Sequence, residues 1–140
     1  MASYNKFNAM VGSMANGVFN FSTDSLKIML VNSPAPTATN SLYGDLTEIA
    51  AGGGYSTGGI ALTSVTDTDS SGTVTLAAAN ATLTATGTTS SFRYAVLYDA
   101  TPTSPLKPLV GWWDYGSSIN LVNANDTFTI NLSGNIFTLS

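Results

Sequence analysis

Apolar and polar positions alternate along most of this chain, with two interludes of helical period. Near the N-terminus Phe7, Met10, Val11 and Met14 recur at i, i+3, i+4 and i+7, the spacing of one helix face. Gly12 and the Asn16-Gly17 pair end the pattern early, so residues 1–16 read as an N-terminal arm or short helix. Such an arm can pack on its own domain or on a neighbour. From Gly17 the period drops to two. Leu26, Ile28 and Leu30 alternate with Lys27, Met29 and Val31, which predicts a strand ending at Val31. Asn32-Ser33-Pro34-Ala35-Pro36 follows as a loop, because prolines cannot donate to a β-ladder. Leu42, Leu46 and Ile49 then stand at i, i+4 and i+7 behind Ser41, a candidate N-cap. They predict a second short helix near Leu42–Ala50, stopped by Gly52-Gly53-Gly54.

Short β segments fill the rest: 59–65, 73–78, 82–86, 92–99, 109–115, 127–132 and 135–139. Thr127-Phe128-Thr129-Ile130-Asn131-Leu132 alternates strictly, whereas Phe92–Tyr98 is apolar on nearly both faces, as in a central strand of a packed sheet. Turn residues separate these segments, at Asp69–Gly72, Pro102–Pro108 and Ser133–Asn135. The expected architecture is all-β, a jelly-roll-like β-sandwich over residues 17–140. Its core should include Leu26, Ile28, Leu30, Tyr94, Val96, Phe128, Ile130 and Leu132.

Composition narrows the chemistry. The 140 residues include no histidine and no cysteine, and only four basic side chains, Lys6, Lys27, Arg93 and Lys107. The usual routes to general acid–base catalysis near neutrality, thiol chemistry and zinc or haem ligation are thereby missing. No catalytic residue, metal or cofactor is expected. Charged residues make up 9% of the chain, so Thr, Ser and Asn must cover much of the solvent face. A neutral surface of this kind is poorly protected against association. A net charge of −4 with scattered cations disfavours nucleic acid and anionic membranes alike. The first residues lack a charged stretch followed by an apolar run, so the expectation is synthesis and retention in a cytoplasm.

Two motifs invite specific chemistry, each beside a plainer reading. Asp67-Thr68-Asp69-Ser70-Ser71-Gly72 opens like a calcium loop, but its twelfth position is Ala78 where a bidentate Glu belongs, which favours a hairpin turn. Asp99 and Asp114 end two strong strands and invite comparison with a glycosidase pair; loop-bonding aspartates are the plainer reading. Adjacent Trp112 and Trp113 must face opposite sides of a strand, one inward and one toward a partner or solvent. The glycines from Gly52 to Gly59 lack the Lys-Ser/Thr of a phosphate loop and read as a tight backbone crossing.

Five segments in order carry a resemblance: Gly17–Phe21, Asp24–Leu30, Gly53–Gly59, Arg93–Asp99 and Leu109–Gly116. Together they resemble the small head proteins of tailed bacteriophages that act as capsid decoration or cement proteins. The resemblance runs from about Phe7 to the C-terminus and rests on sheet and turn residues. It implies a non-enzymatic virion protein on the capsid exterior, made in the host cytoplasm, that clamps neighbouring subunits of the major capsid protein. Arms, loops and an outward Trp are the natural contact candidates: Tyr4, Phe7, Met10, Pro34, Pro36, Trp112 and Trp113. Scarce lysines leave sheet edges weakly defended, so a homo-oligomer, dimer or trimer, is also expected. The rival reading is a carbohydrate- or receptor-binding module of a phage tail, with Trp112, Trp113, Tyr55 and Asp114 as a sugar face.

Overall fold

Leu26–Val31 and Phe92–Asp99 lie side by side at the centre of the molecule, and nearly every residue of both is buried. The computed structural model describes residues 2–140. Its strands are β1 (Tyr4–Lys6), β2 (Leu26–Val31), β3 (Ile60–Ala61), β4 (Thr66–Ser70), β5 (Thr73–Ala77), β6 (Ala81–Thr84), β7 (Phe92–Asp99), β8 (Leu109–Ile119), β9 (Thr127–Ile130) and β10 (Phe137–Leu139). One helix, α1 (Asn8–Ala15), joins β1 to the rest. The fold is an all-β sandwich with a short helix. One layer is a five-stranded antiparallel sheet in the order β1-β8-β7-β2-β3. The second layer consists of the sheet β10-β5-β4 and the pair β6-β9. Neighbours far apart in sequence, such as β2 beside β7, give the crossed connectivity of a jelly-roll-like sandwich.

Two apolar clusters flank the large sheet. Between the layers, Ile28, Leu30, Leu97 and Trp113 meet Leu76, Leu83, Phe128 and Ile130. On the far side Met29, Val31, Tyr94, Val96, Tyr98 and Leu109 are covered by Phe7 and by Tyr43, Leu46 and Trp112. All eight residues expected in the core are buried.

β2 and β7 have the bounds their periodicity predicts, and β8 runs on past Tyr115 to Ile119. Three expectations need correction. Residues 42–50 are not a helix: a single 3-10 turn spans Tyr43–Asp45, and the chain is extended on both sides of it. The Asp45 carboxylate accepts the Ser41 and Leu42 N–H groups at 2.8 and 3.0 Å, which closes that turn. Beyond it Glu48 bridges to Val31 and the Ile49 N–H bonds the Leu30 carbonyl, so the edge of β2 outcompetes helix. Val11 does not join the buried face of α1. It is 52% exposed while Met10 is buried, because the helix touches the sheet along a narrow stripe and the next residue lies about 100° around the axis. The segment 59–65 shrinks to two residues, and the polar run Thr66–Ser70 is a strand instead of a break.

β4 escaped the hydrophobic pattern because it is an edge strand exposed along its whole length, held by pairing with β5. The β4–β5 hairpin turns through Ser71 and Gly72, both at positive φ (53° and 80°), the signature of a two-residue type I′ turn. The calcium-loop-like motif is therefore a strand and its hairpin turn. The Gly-rich run is the expected tight crossing: a β-carbon on Gly53 would overlap the Thr88 carbonyl.

Candidate functional site

Most of the residues predicted to touch a partner instead touch one another. β1 pairs with β8, setting Tyr4 opposite Trp113. The Tyr4 ring meets Trp113 edge-on at 5.5 Å and stacks on Phe137 at 5.6 Å. It also lies across Gly111, where a β-carbon would overlap the ring. Burial holds the Tyr4 phenol well above its ordinary pKa, and its hydroxyl donates to the Val110 carbonyl at 3.3 Å. On the other side of β8 the fully buried Phe7 ring sits 4.5 Å from Trp112. Met10 is buried in the inter-layer core. The Asn8 N–H bonds the Ala38 carbonyl at 2.9 Å and so ties the arm to the 32–40 loop. Thus the arm packs in cis.

Trp112 and Trp113 do face opposite sides, as strand geometry requires, but neither stands free. Trp113 is 7% exposed in the inter-layer core, and Trp112 is half-buried with Phe7 against it. Pro36 is buried and Pro34 is exposed. Of the seven contact candidates, Pro34 alone is exposed; Tyr4 and Trp112 are half-buried. The sequence pattern missed Leu106, 57% exposed between Pro105 and Lys107. The signal available was a lone leucine inside a Pro-rich turn. Leu106 and Lys107 line a cavity of about 370 Å³ with Leu42–Asp45.

The candidate sugar face does not assemble. Trp112 and Trp113 diverge, and Tyr55 is buried with its hydroxyl donating to Glu48 at 2.5 Å. Asp114 is held by Arg93 through two bonds of 2.8 and 3.0 Å, and that guanidinium, with the Gly116 N–H, keeps the carboxyl below its usual pKa. Asp114 is paired with Tyr94, five residues before Asp99 on β7. The two aspartates are therefore roughly 17 Å apart along the sheet, beyond the ~5–10 Å of a glycosidase pair. A separate groove of about 460 Å³ runs beside Trp113, Asp114, Tyr115 and Asn131.

Glu48 organises the polar chemistry of the far face. Its carboxylate accepts both the Tyr43 and Tyr55 hydroxyls and the Gly58 N–H at 2.8 Å. The Tyr55 oxygen in turn accepts the Leu30 N–H at 3.0 Å, and Tyr98 donates to the Gly58 carbonyl at 2.6 Å. Burial, then Glu48 itself, pushes the Tyr43 and Tyr55 pKa values far up, and burial lifts Tyr98 to about 12. These phenols stay protonated near neutrality and act as donors. They clasp two loops onto the sheet.

The second layer presents a different surface. Residues paired across antiparallel strands share a face. Thr138, Thr75 and Thr68 therefore form one outward row, and Thr82 with Thr129 forms another, their hydroxyls 3.1 Å apart. Thr84 and Thr127 extend the second row. Asp67 and Asp69 pair with Leu76 and Val74 and so belong to the inner side of the edge strand β4, a placement that discourages edge-to-edge pairing. The outward mosaic of hydroxyl and methyl groups carries no charge. Among the described residues no cluster of three or more metal-ligating side chains occurs, and no helix is long and apolar enough to cross a membrane. Comparison with protein-family models, curated proteins and solved structures returns no match for the chain.

Proposed function

We propose that this chain is a non-enzymatic virion structural protein that binds the exterior of a phage capsid and cements neighbouring major capsid subunits. The observation that carries the reading is the uncharged threonine face of the second layer, backed by a sandwich buried on both sides of its main sheet. Such a face offers neutral hydrogen-bonding and methyl contact to a large partner without the desolvation cost of charges. The ordered resemblance to phage decoration proteins supplies the partner class. Pro34 and, on the opposite loop face, Leu106 are further exposed apolar tips. Binding the assembled shell and not free subunits stabilises the shell by mass action. The protein works as a dimer or trimer, made in the host cytoplasm and resident on the capsid exterior, where symmetric copies grip equivalent subunits together.

The test is to add the purified protein to shells of its own phage assembled without it. The expected result is saturable binding and rupture at a higher temperature; equal heat stability of decorated and bare shells defeats the reading. Light scattering at micromolar concentration should report a mass above that of the 14.4 kDa chain. The second reading, a carbohydrate- or receptor-binding module of a phage tail, draws on the aromatic groove beside Trp113 and Tyr115. Selective binding on a glycan array, lost on Tyr115→Ala, would favour it.

A further inference from the structure

Asp99 closes β7 with a side chain that has no exposed surface. Its Oδ1 accepts the Thr101 N–H at 3.0 Å. Its Oδ2 is buried and meets no hydrogen-bond donor among the described residues. Leu26 pairs with Asp99 in the ladder and Ser25 bonds Ala100 and Thr101, which brings a second carboxyl, that of Asp24 on the turn after the N-terminal arm, beside it. Asp24 is already half-engaged: its Oδ2 accepts the Asn20 N–H at 2.8 Å, and its own N–H bonds the Asn20 carbonyl at 2.8 Å. Two bare carboxylates in this position, one of them dehydrated, repel each other. A single proton between them converts the same contact into an acid–carboxylate hydrogen bond, a strong charge-assisted type.

No basic side chain stands in for that proton. β2 reaches Asp99 through Leu26, the start of β8 through the Pro108 carbonyl, and the Asp24 turn through Ser25, which bonds Ala100 and Thr101. Lys27 lies opposite Tyr98 in the ladder, on the other face of the sheet. Lys107 sits over the Tyr43 ring at 4.9 Å. Asp67 meets the turn through the Ser22 hydroxyl at 2.8 Å and brings further negative charge. Burial first, and the Asp24 carboxyl next, raise the Asp99 pKa to about 7, while the Thr101 N–H works the other way.

We propose that Asp99 keeps a proton on its buried Oδ2 and donates it to the Asp24 carboxylate, a latch that fastens the Asn20–Asp24 turn, and so the link to the N-terminal arm, to the end of β7. In the unfolded chain aspartate keeps its ordinary value of 3.8. Between about pH 4 and pH 7 the folded state therefore holds a proton that the unfolded state has released. The latch stays closed through that window and opens as pH rises past about 7. The folding equilibrium constant falls by up to about tenfold per pH unit across the window and levels off above it.

Thermal melts and amide hydrogen exchange of the full chain at about pH 5 and about pH 8 test the latch. Wild type should melt lower at the higher pH, with residues 17–25 losing protection after correction for the intrinsic exchange rate. Asp99→Asn keeps a donor toward Asp24 without titrating and should flatten both responses. Asp24→Asn supplies a donor to Asp99 from the other side, should reduce both responses because burial of Asp99 remains, and serves if Asp99→Asn does not fold. An identical pH slope in wild type and variants, or equal protection of residues 17–25 at both pH values, overturns the proposal. So does calcium that restores wild-type protection at about pH 8 but has no effect on Asp99→Asn, because the pair would then hold a metal cation.

Discussion

The two faces of the five-stranded sheet are closed by different means. Toward the second layer, strand lies against strand, and Leu30, Leu97 and Trp113 meet Leu76, Phe128 and Ile130 in a continuous apolar layer. On the far face no strand is available. Phe7 from the arm, the Tyr43–Leu46 segment and a polar clasp around Glu48 do the covering. Many contacts share the load on the first face, and a few named side chains carry the second. Exposure follows the same division: the second layer turns uncharged threonines outward, whereas the loop face ends in isolated tips such as Leu106.

The largest loss of stability is expected between the layers. Phe92 is fully buried with its ring 4.9 Å from Phe128, so Phe92→Ala should cost about 3–5 kcal/mol. Guanidinium unfolding should show one transition at lower denaturant; a loss under about 1 kcal/mol would mean that the inter-layer core is not the main support. On the loop face, Glu48→Ala strips the acceptor from two tyrosine hydroxyls and the Gly58 N–H, with an expected cost of about 2 kcal/mol. Ultraviolet titration supplies an independent readout. In wild type Tyr43 and Tyr55 ionise well above the ordinary tyrosine range, and in the variant both should move back toward it. An unchanged titration would show that Glu48 does not hold them. The smallest effect is expected at the arm. Gly111→Ala forces the Tyr4 ring off β8 and should cost about 1–2 kcal/mol. Hydrogen exchange should quicken over residues 4–15 and stay unchanged in β7; equal protection throughout would mean that Tyr4 is not the arm's fastening.

Much of the architecture was legible in advance because one face of a strand must be apolar wherever it meets a core. That rule placed β2 and β7 at their observed bounds and found the buried positions Phe128 and Ile130 in β9. It failed where burial does not decide the conformation. β4 is polar throughout, and its ladder partner alone makes it a strand. Residues 42–50 have helical spacing, yet Asp45 ends the turn and the free edge of β2 draws Glu48 into an extended bridge. The contact candidates show the same limit, since an aromatic residue on an arm or strand reads alike whether it meets a partner or its own chain.

The amino-acid sequence by itself determined the all-β class, the central strands, the low charge and the want of histidine and cysteine, because these depend on residue type and local period. Tertiary structure alone decided that Tyr4 and Phe7 close over the two tryptophans, and that Glu48 gathers tyrosines from distant segments. It also set Asp24 against a buried Asp99. Each of these joins residues far apart in the chain or across a turn, where position in space, and the water excluded from it, sets the energy of the contact.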